Sequence, residues 1–317
     1  LQSKTEAPDW HFLKNELRFT EKACPVCHSQ VGTLKHERLI SGHHMKFWIC
    51  HSCNALYTKN PLTNSSSREL FNSKNFYASN EPGNEQGHNN VDYYDFLGGE
   101  KYLRMTARNR LLRIKKHHPS GKMLEVASAA GFFLIEAKNA GYEVEGVEIS
   151  KPIAKWSAER WGVPVCNESV ETISLPTNHY DVIATWGVMT LLQDPATMVK
   201  KYYDALKPGG IWTFNTYYHD SLWHKIFGPR WIALAVQTRQ IFSNQLLIDI
   251  IEKEGFQLKS RRRDWPYTDL LKICDQLAWN TGAQWLVPAI KKTGMENIII
   301  KVPLPDVYEY TWEKPVL

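Results

Sequence analysis

Long hydrophobic runs are missing from this 317-residue chain: the longest uninterrupted apolar stretch, Trp231 to Val236, is six residues, far short of the roughly 20 that cross a bilayer as a helix. No membrane partner is expected. The opening residues LQSKTEAPDW lack the basic-then-apolar order of a secretory leader, so a cytoplasmic location is expected. Charge of one sign is also weak. With 38 basic and 33 acidic residues, net +5, the balance falls short of that of a dedicated nucleic-acid-binding domain. The densest cluster, Lys259-Ser260-Arg261-Arg262-Arg263, reads as the solvated end of a strand, with a phosphate-binding patch as the alternative. Glycine (18) and proline (16) are too few for a fibrous or low-complexity chain, which leaves an ordinary globular core. The length suits one large α/β domain with an appendage.

Cysteine is scarce, six in all, but four fall in two pairs, Cys24-Pro-Val-Cys27 and Cys50-His-Ser-Cys53. Two thiolates three residues apart on a tight turn bind one edge of a metal ion, and a second such turn completes a tetrahedron. The pattern predicts a structural zinc site of Cys24, Cys27, Cys50 and Cys53; disulfides are the alternative, disfavoured in a reducing compartment. His28 and His51 flank the pairs, and Cys166 and Cys274 stand alone as small apolar residues. Lys46–Cys50 and Ala55–Thr58 read as strands around the second turn, so residues 1–60 form a zinc ribbon. Residues 61–118 read as a linker or lid with at most one short helix, punctuated by Tyr77, Tyr93 and Tyr94, followed by a helix over Lys101–His117.

From residue 119 the pattern becomes strand, small-residue turn, helix, strand. Lys122–Ala127 is a short apolar run, Ser128–Gly131 a turn, Phe132–Ala140 a helix, and Tyr142–Ile149 a second strand ending in Glu148. That acidic residue stands at about the spacing at which a carboxylate meets the ribose of a bound nucleotide. A dinucleotide fingerprint needs glycines near 127, 129 and 132, because a pyrophosphate approaches the backbone closely. Ala127, Ala129 and Phe132 stand there instead, which argues against a nicotinamide cofactor.

At this point the chain resembles the class I S-adenosylmethionine-dependent methyltransferases. Leu124-Glu-Val-Ala-Ser-Ala-Ala-Gly131 is similar to their first motif, Gly146-Val-Glu-Ile-Ser150 to the second, and His179–Trp186 to the fourth strand; Asp194-Pro and Ala205-Leu-Lys-Pro-Gly-Gly-Ile-Trp-Thr-Phe214 follow in the family's order. The resemblance implies a doubly wound, mostly parallel seven-stranded sheet (119–317), ending in an antiparallel pair interrupted by a helical insertion at about 266–293. It also implies the contacts of S-adenosylmethionine. Glu148 and Ile149 would meet the ribose, the turn from Glu125 through Ala127, Ala129 and Gly131 to Phe132 the methionine portion, Ser169 and Val170 the adenine, and Trp186-Gly187 the sulfonium. A branch of the family that carries CxxC pairs before this domain acts on small molecules, so a small-molecule methyltransferase is expected. The alternatives are an RNA base methyltransferase and a non-methylating S-adenosylmethionine-binding enzyme or scaffold.

That branch carries Glu-His pairs where this chain has Thr190-Leu191 and Gln237-Thr238. Any general base must come from elsewhere. The loop after the fifth strand, Asn215-Thr-Tyr-Tyr-His-Asp220, lies where doubly wound sheets bind ligands. It predicts His219 as base, Asp220 as its orienter and Tyr217 as a pocket hydrogen-bonder. Twelve tryptophans, several of them in the C-terminal half, suggest a pocket with aromatic walls.

Overall fold

A computed structural model describes residues 17–40, 42–77 and 96–316. Tyr93 and Tyr94 lie outside the described residues. None of the described helices is long and apolar enough to cross a membrane.

The amino-terminal strands are β1 (Gly32–Ile40), β2 (His43–Cys50) and β3 (Leu56–Thr58). They form an antiparallel sheet in the order β1-β2-β3, and a fourth strand, β9 (Gln240–Ile241), completes it from the far end of the chain. The ribbon therefore does not close at residue 60. Beside the strand pairing, the Thr58 hydroxyl donates to the Thr238 carbonyl at 2.5 Å and the Thr58 amide to Arg239 O at 2.9 Å. Asn-Ser-Ser-Ser is poor helix interior but good capping sequence. Accordingly the segment read as loop contains α1 (Asn64–Asn72), whose Thr63 cap accepts from the Ser66 amide at 3.3 Å, and α2 (Lys74–Tyr77).

Next come α3 (Glu100–Ile114), β4 (Gly121–Val126), α4 (Phe132–Asn139), β5 (Tyr142–Val147), α5 (Lys151–Trp161), β6 (Val165–Cys166), β7 (Tyr180–Trp186), α6 (Pro195–Ala205), β8 (Leu206–Tyr217) and α7 (Leu222–Phe227). After β9 follow α8 (Asn244–Lys253), β10 (Gln257–Arg263), β11 (Tyr267–Asp269), α9 (Leu270–Thr281), α10 (Leu286–Thr293), β12 (Ile299–Lys301) and β13 (Val307–Glu313). The main sheet runs β10-β13-β8-β7-β4-β5-β6. β4 to β8 are parallel neighbours, and β13 runs antiparallel between β8 and β10. This is the seven-stranded, doubly wound α/β sheet that the resemblance implies.

Helices on both faces explain why β4 and β7 read as continuous apolar runs rather than alternating ones. On one face α6 begins at Asp194, whose carboxylate accepts from the Thr197 amide at 3.0 Å, with Pro195 in the first turn. It buries Met198, Val199 and Tyr202 against Trp212, Phe214 and Phe256. Burying each such side chain is worth about 1.5–3 kcal/mol.

The insertion differs in detail from the continuous helix expected. Asp269 caps α9, accepting from Lys272 N at 2.8 Å, and Gly282, at φ 81°, ends it. The strand expected near residue 299 does not enter the main sheet: β12 is short and largely exposed, and it pairs with β11 alone. β13, buried at five of its seven residues, is the strand that enters.

Candidate cofactor turn, aromatic cavity and metal centre

After β4 the chain enters the left-handed region at every second residue: Ala127 has φ 55°, Ala129 φ 46° and Gly131 φ 69°. The alanines thus keep a path that glycine adopts freely and other residues adopt at about 1–2 kcal/mol each. Gly131 cannot be replaced in the same way, because a Cβ there would lie 2.1 Å from the Ser157 hydroxyl. Ser128 N donates to Val147 O at 3.1 Å and Gly131 N to Ser128 O at 2.8 Å.

Glu148 fixes the middle of this turn. Its carboxylate accepts from Ala129 N at 2.9 Å, Ser150 N at 2.8 Å and the Tyr77 hydroxyl at 3.4 Å. The residue read as a ribose acceptor is therefore already engaged by the chain's own donors, the Tyr77 contact being the longest. Burial raises the Glu148 carboxyl above its ordinary value, and the Ser150 and Ala129 amides offset this only in part. Burial also pushes Glu125 well above the usual carboxylate range, against the pull of Arg110. Around the turn, Glu125 Oε2 and the hydroxyls of Ser128, Ser150 and Ser157 are buried without a hydrogen-bond partner. Such orphans fit a site that a polar ligand completes.

Ile149 and Ser169-Val170 lie beyond this point. The Asn167 amide bridges Glu148 O (2.9 Å) and Ile149 O (3.1 Å), while Val170 packs on the core and its carbonyl accepts from Lys201 Nζ at 2.8 Å. Phe132 opens α4 and stacks on Phe96 with ring centroids 5.7 Å apart.

At the tip of β7, one face of Trp186 carries the Arg110 guanidinium, 4.0 Å from the ring centroid. Arg110 Nη2 donates to Asp264 Oδ2 at 2.7 Å, Asn215 Nδ2 to the same oxygen at 2.7 Å, and Gly187 N to Asn215 Oδ1 at 2.8 Å. Burial would raise Asp264, but Arg110 and Asn215 outweigh it and hold the carboxyl below its ordinary value.

Beside this network lies a cavity of about 370 Å³, walled by Trp186, Tyr217, Trp223, Phe227, Trp231 and Tyr267 among others. These are the aromatic walls suggested by the tryptophan count. Thr190, Leu191, Gln237 and Thr238, which stand in place of the family's Glu-His pairs, also line it, as do Asp264 and Asp306. A larger hollow of about 550 Å³ sits at the amino ends of β4 and β7 around Lys122 and Asp181. It is wide open to solvent and lies at the end of the sheet opposite to that used by doubly wound folds for ligands.

The expected base is elsewhere. His219 Nε2 lies 2.7 Å from the Asn54 carbonyl, next to Cys53, and burial lowers its pKa. Its own carbonyl accepts from His224 Nδ1, and His224 Nε2 lies 2.8 Å from His36 Nε2 of β1. Asp220 accepts from Asn244 N at 3.2 Å near the start of α8. Neither His219 nor Asp220 lines the cavity; only Tyr217 of that group does. The loop residue after Tyr218 turns toward the ribbon and not into this cavity. Sequence reasoning missed Arg110, Asp264 and Asp306 because none belongs to a motif: their roles depend on α3, the end of β10 and the start of β13 meeting at the cavity.

At the ribbon turns, the four sulfurs of Cys24, Cys27, Cys50 and Cys53 lie within 4.8 Å of one another. Cys24–Cys53 and Cys27–Cys50 are 3.6 and 3.5 Å apart. A tetrahedron with Zn–S near 2.3 Å has edges of about 3.8 Å, so the donor set fits a four-coordinate metal. In the basic cluster Lys259 pairs with Glu313 at 2.8 Å and Arg261 lies over Tyr308, 4.4 Å from its centroid, while Arg263 is exposed.

Residues 100–261 match the family described as a methyltransferase domain. The chain belongs to that family, and membership supports S-adenosylmethionine as its cofactor. The chain is 30% identical over 93 residues to the Bacillus subtilis uncharacterized methyltransferase YdaC, a match covering 28% of this chain and 51% of that protein, so it spans about half the length of this relative. It is 25% identical over 153 residues to the ubiquinone biosynthesis O-methyltransferase of Cereibacter sphaeroides, covering 44% of this chain and 62% of that protein. In fold it is similar to a chain of the Haloferax volcanii complex that contains the Trm112 methyltransferase activator, with TM-score 0.51 at 10% identity over 68% of this chain and 92% of that one.

Proposed function

We propose that this protein is an S-adenosylmethionine-dependent methyltransferase acting on a small molecule, with a structural zinc ion in its ribbon. The observation that carries the reading is the β4 turn: alternate left-handed residues pinned to the acidic tip of β5 and ringed by orphaned polar atoms. Bound there, S-adenosylmethionine would supply an electrophilic methyl group. The chain's part is to hold the donor between the turn and Glu148, to present the acceptor from the aromatic cavity, and to exclude water between them. A small acceptor is supported by the enclosed, mainly apolar cavity. The modest net charge of +5 speaks against RNA as the acceptor. The zinc reading rests on four thiols at tetrahedral spacing; a closed site of this kind contributes folding energy rather than activating water. Transfer of radiolabelled methyl from S-adenosylmethionine into a low-molecular-weight fraction of cell extract is the expected result. Label found only in RNA or protein would overturn the acceptor class.

A further inference from the structure

Among the described residues three charged side chains line the aromatic cavity: Arg110, Asp264 and Asp306. Arg110 and Asp264 neutralise one another at 2.7 Å. Among the described residues Asp306 has no basic partner. It is 7% exposed, its Oδ2 accepts the Trp231 indole N–H at 2.6 Å, and that donor is neutral. Among the described residues the cavity lining therefore has one acidic side chain in excess, inside a chain whose overall charge is +5.

The surroundings of Asp306 are aromatic. Tyr217 meets Trp231 edge to face at 5.8 Å and 89°, and Trp223 stacks on Phe227 at 4.7 Å and 14°. All four rings line the same cavity. Aromatic faces attract cations most strongly where water is excluded, and a buried carboxyl without a counter-charge is costly until one arrives.

We propose that the cavity binds a methyl acceptor bearing a positively charged nitrogen, which pairs with Asp306 among Tyr217, Trp223, Phe227 and Trp231. The proposal rests on the methyltransferase reading and gives its substrate class. The charge belongs to the acceptor rather than the donor molecule. Asp306 immediately precedes β13, which is separated from β7 by β8 and from the β4 turn by both; at about 4.8 Å per strand, that places it roughly 10 Å from the β7 tip and farther from the turn. Burial raises the Asp306 carboxyl, and the Trp231 N–H offsets this only in part, so an arriving ammonium would draw it into the ionised state.

The test uses three probes of one shape, 4-phenylbutylamine, 4-phenylbutanol and 4-phenylbutyrate, titrated calorimetrically into the full chain near neutral pH. S-adenosylhomocysteine is titrated in parallel. The amine is expected to bind at least about tenfold more tightly than the alcohol, and the carboxylate more weakly than either. Asp306→Asn is expected to abolish the preference for the amine while leaving alcohol and S-adenosylhomocysteine affinities within about twofold. Equal affinities, tighter binding of the carboxylate, no binding of the amine, or a preference surviving in a folded Asp306→Asn protein would overturn the proposal. If that variant does not fold, the three-probe comparison on the unaltered chain decides alone. Failure to bind S-adenosylhomocysteine with the amine preference intact would count against the methyltransferase reading and not against the cation site.

Discussion

The Glu148 carboxylate accepts the amide hydrogen of Ala129 at 2.9 Å, and Ala129 holds φ at 46°. A strained residue on one strand end is thus fixed by an acid on the next. Strain of this kind persists only where neighbours over-determine it, and here the neighbours are Glu148 and the hydrogen bonds Ser128 N to Val147 O and Gly131 N to Ser128 O.

Replacing Ala127 or Ala129 with glycine should relieve that strain. Removing a Cβ from a left-handed residue recovers about 1–2 kcal/mol, and the greater freedom of glycine in the unfolded chain returns about 0.5–1 kcal/mol of it. Each variant is expected to be stabilised by a few tenths of a kcal/mol to about 1 kcal/mol, read by urea unfolding. Destabilisation of both would mean that the alanine methyls pack more usefully than the geometry indicates.

Stripping the ribbon metal should be felt well outside the ribbon. Asn54, beside Cys53, holds His219, and β3 pairs with β9, so the knuckle supports the segment that walls the cavity. Chelation, or Cys24→Ser, is expected to raise amide exchange not only in residues 20–60 but also across residues 217–242. Exchange confined to the first segment would show that the ribbon folds as a separate unit.

The three histidines between ribbon and α7 set an acid limit. Burial lowers His36 to about 4 and lowers His219 and His224 below their ordinary value of 6.5. In the unfolded chain they bind protons near the ordinary value, so between roughly pH 4 and 6.5 the unfolded state holds more protons. Their contribution is complete above the unfolded pKa and is lost as pH falls. Thermal midpoints should therefore drop from pH 7 to pH 5, and less so in His36→Gln. An unchanged slope in that variant would remove His36 from the account.

Arg110 shields a carboxyl that is 1% exposed. Arg110→Met should leave Asp264 buried without its charge partner and cost roughly 3–5 kcal/mol, measured by chemical denaturation. A loss below about 1 kcal/mol would place the pair in effectively solvated surroundings.

How much of this was legible beforehand follows from the range of each interaction. The metal turns and the β4 turn are local patterns, read from spacings of three and two residues, and the structure brings their residues together. The sheet was legible through the order of the motifs at 124–131, 146–150, 179–186 and 205–214, whose resemblance to the family implies it. What was not legible depends on contacts remote in sequence. β9 is only two residues long and becomes a strand only because β3 offers an edge. His219 looked like a base because loops at strand ends face ligands, yet its side chain answers to Asn54, 165 residues away. Asp306 sits in a proline-bounded turn with no motif at all, and only the placement of Trp231 beside it gives it a role.

The central claim is that the β4 turn and Glu148 bind the S-adenosyl cofactor, and calorimetric titration of S-adenosylhomocysteine into the full chain and its Glu148→Ala variant tests it most directly. Loss of a charge-assisted contact costs about 1.5–3 kcal/mol. The account expects one-to-one binding by the full chain and at least about tenfold weaker binding by a folded variant. No binding by the full chain, or equal affinity in the two proteins, would contradict it.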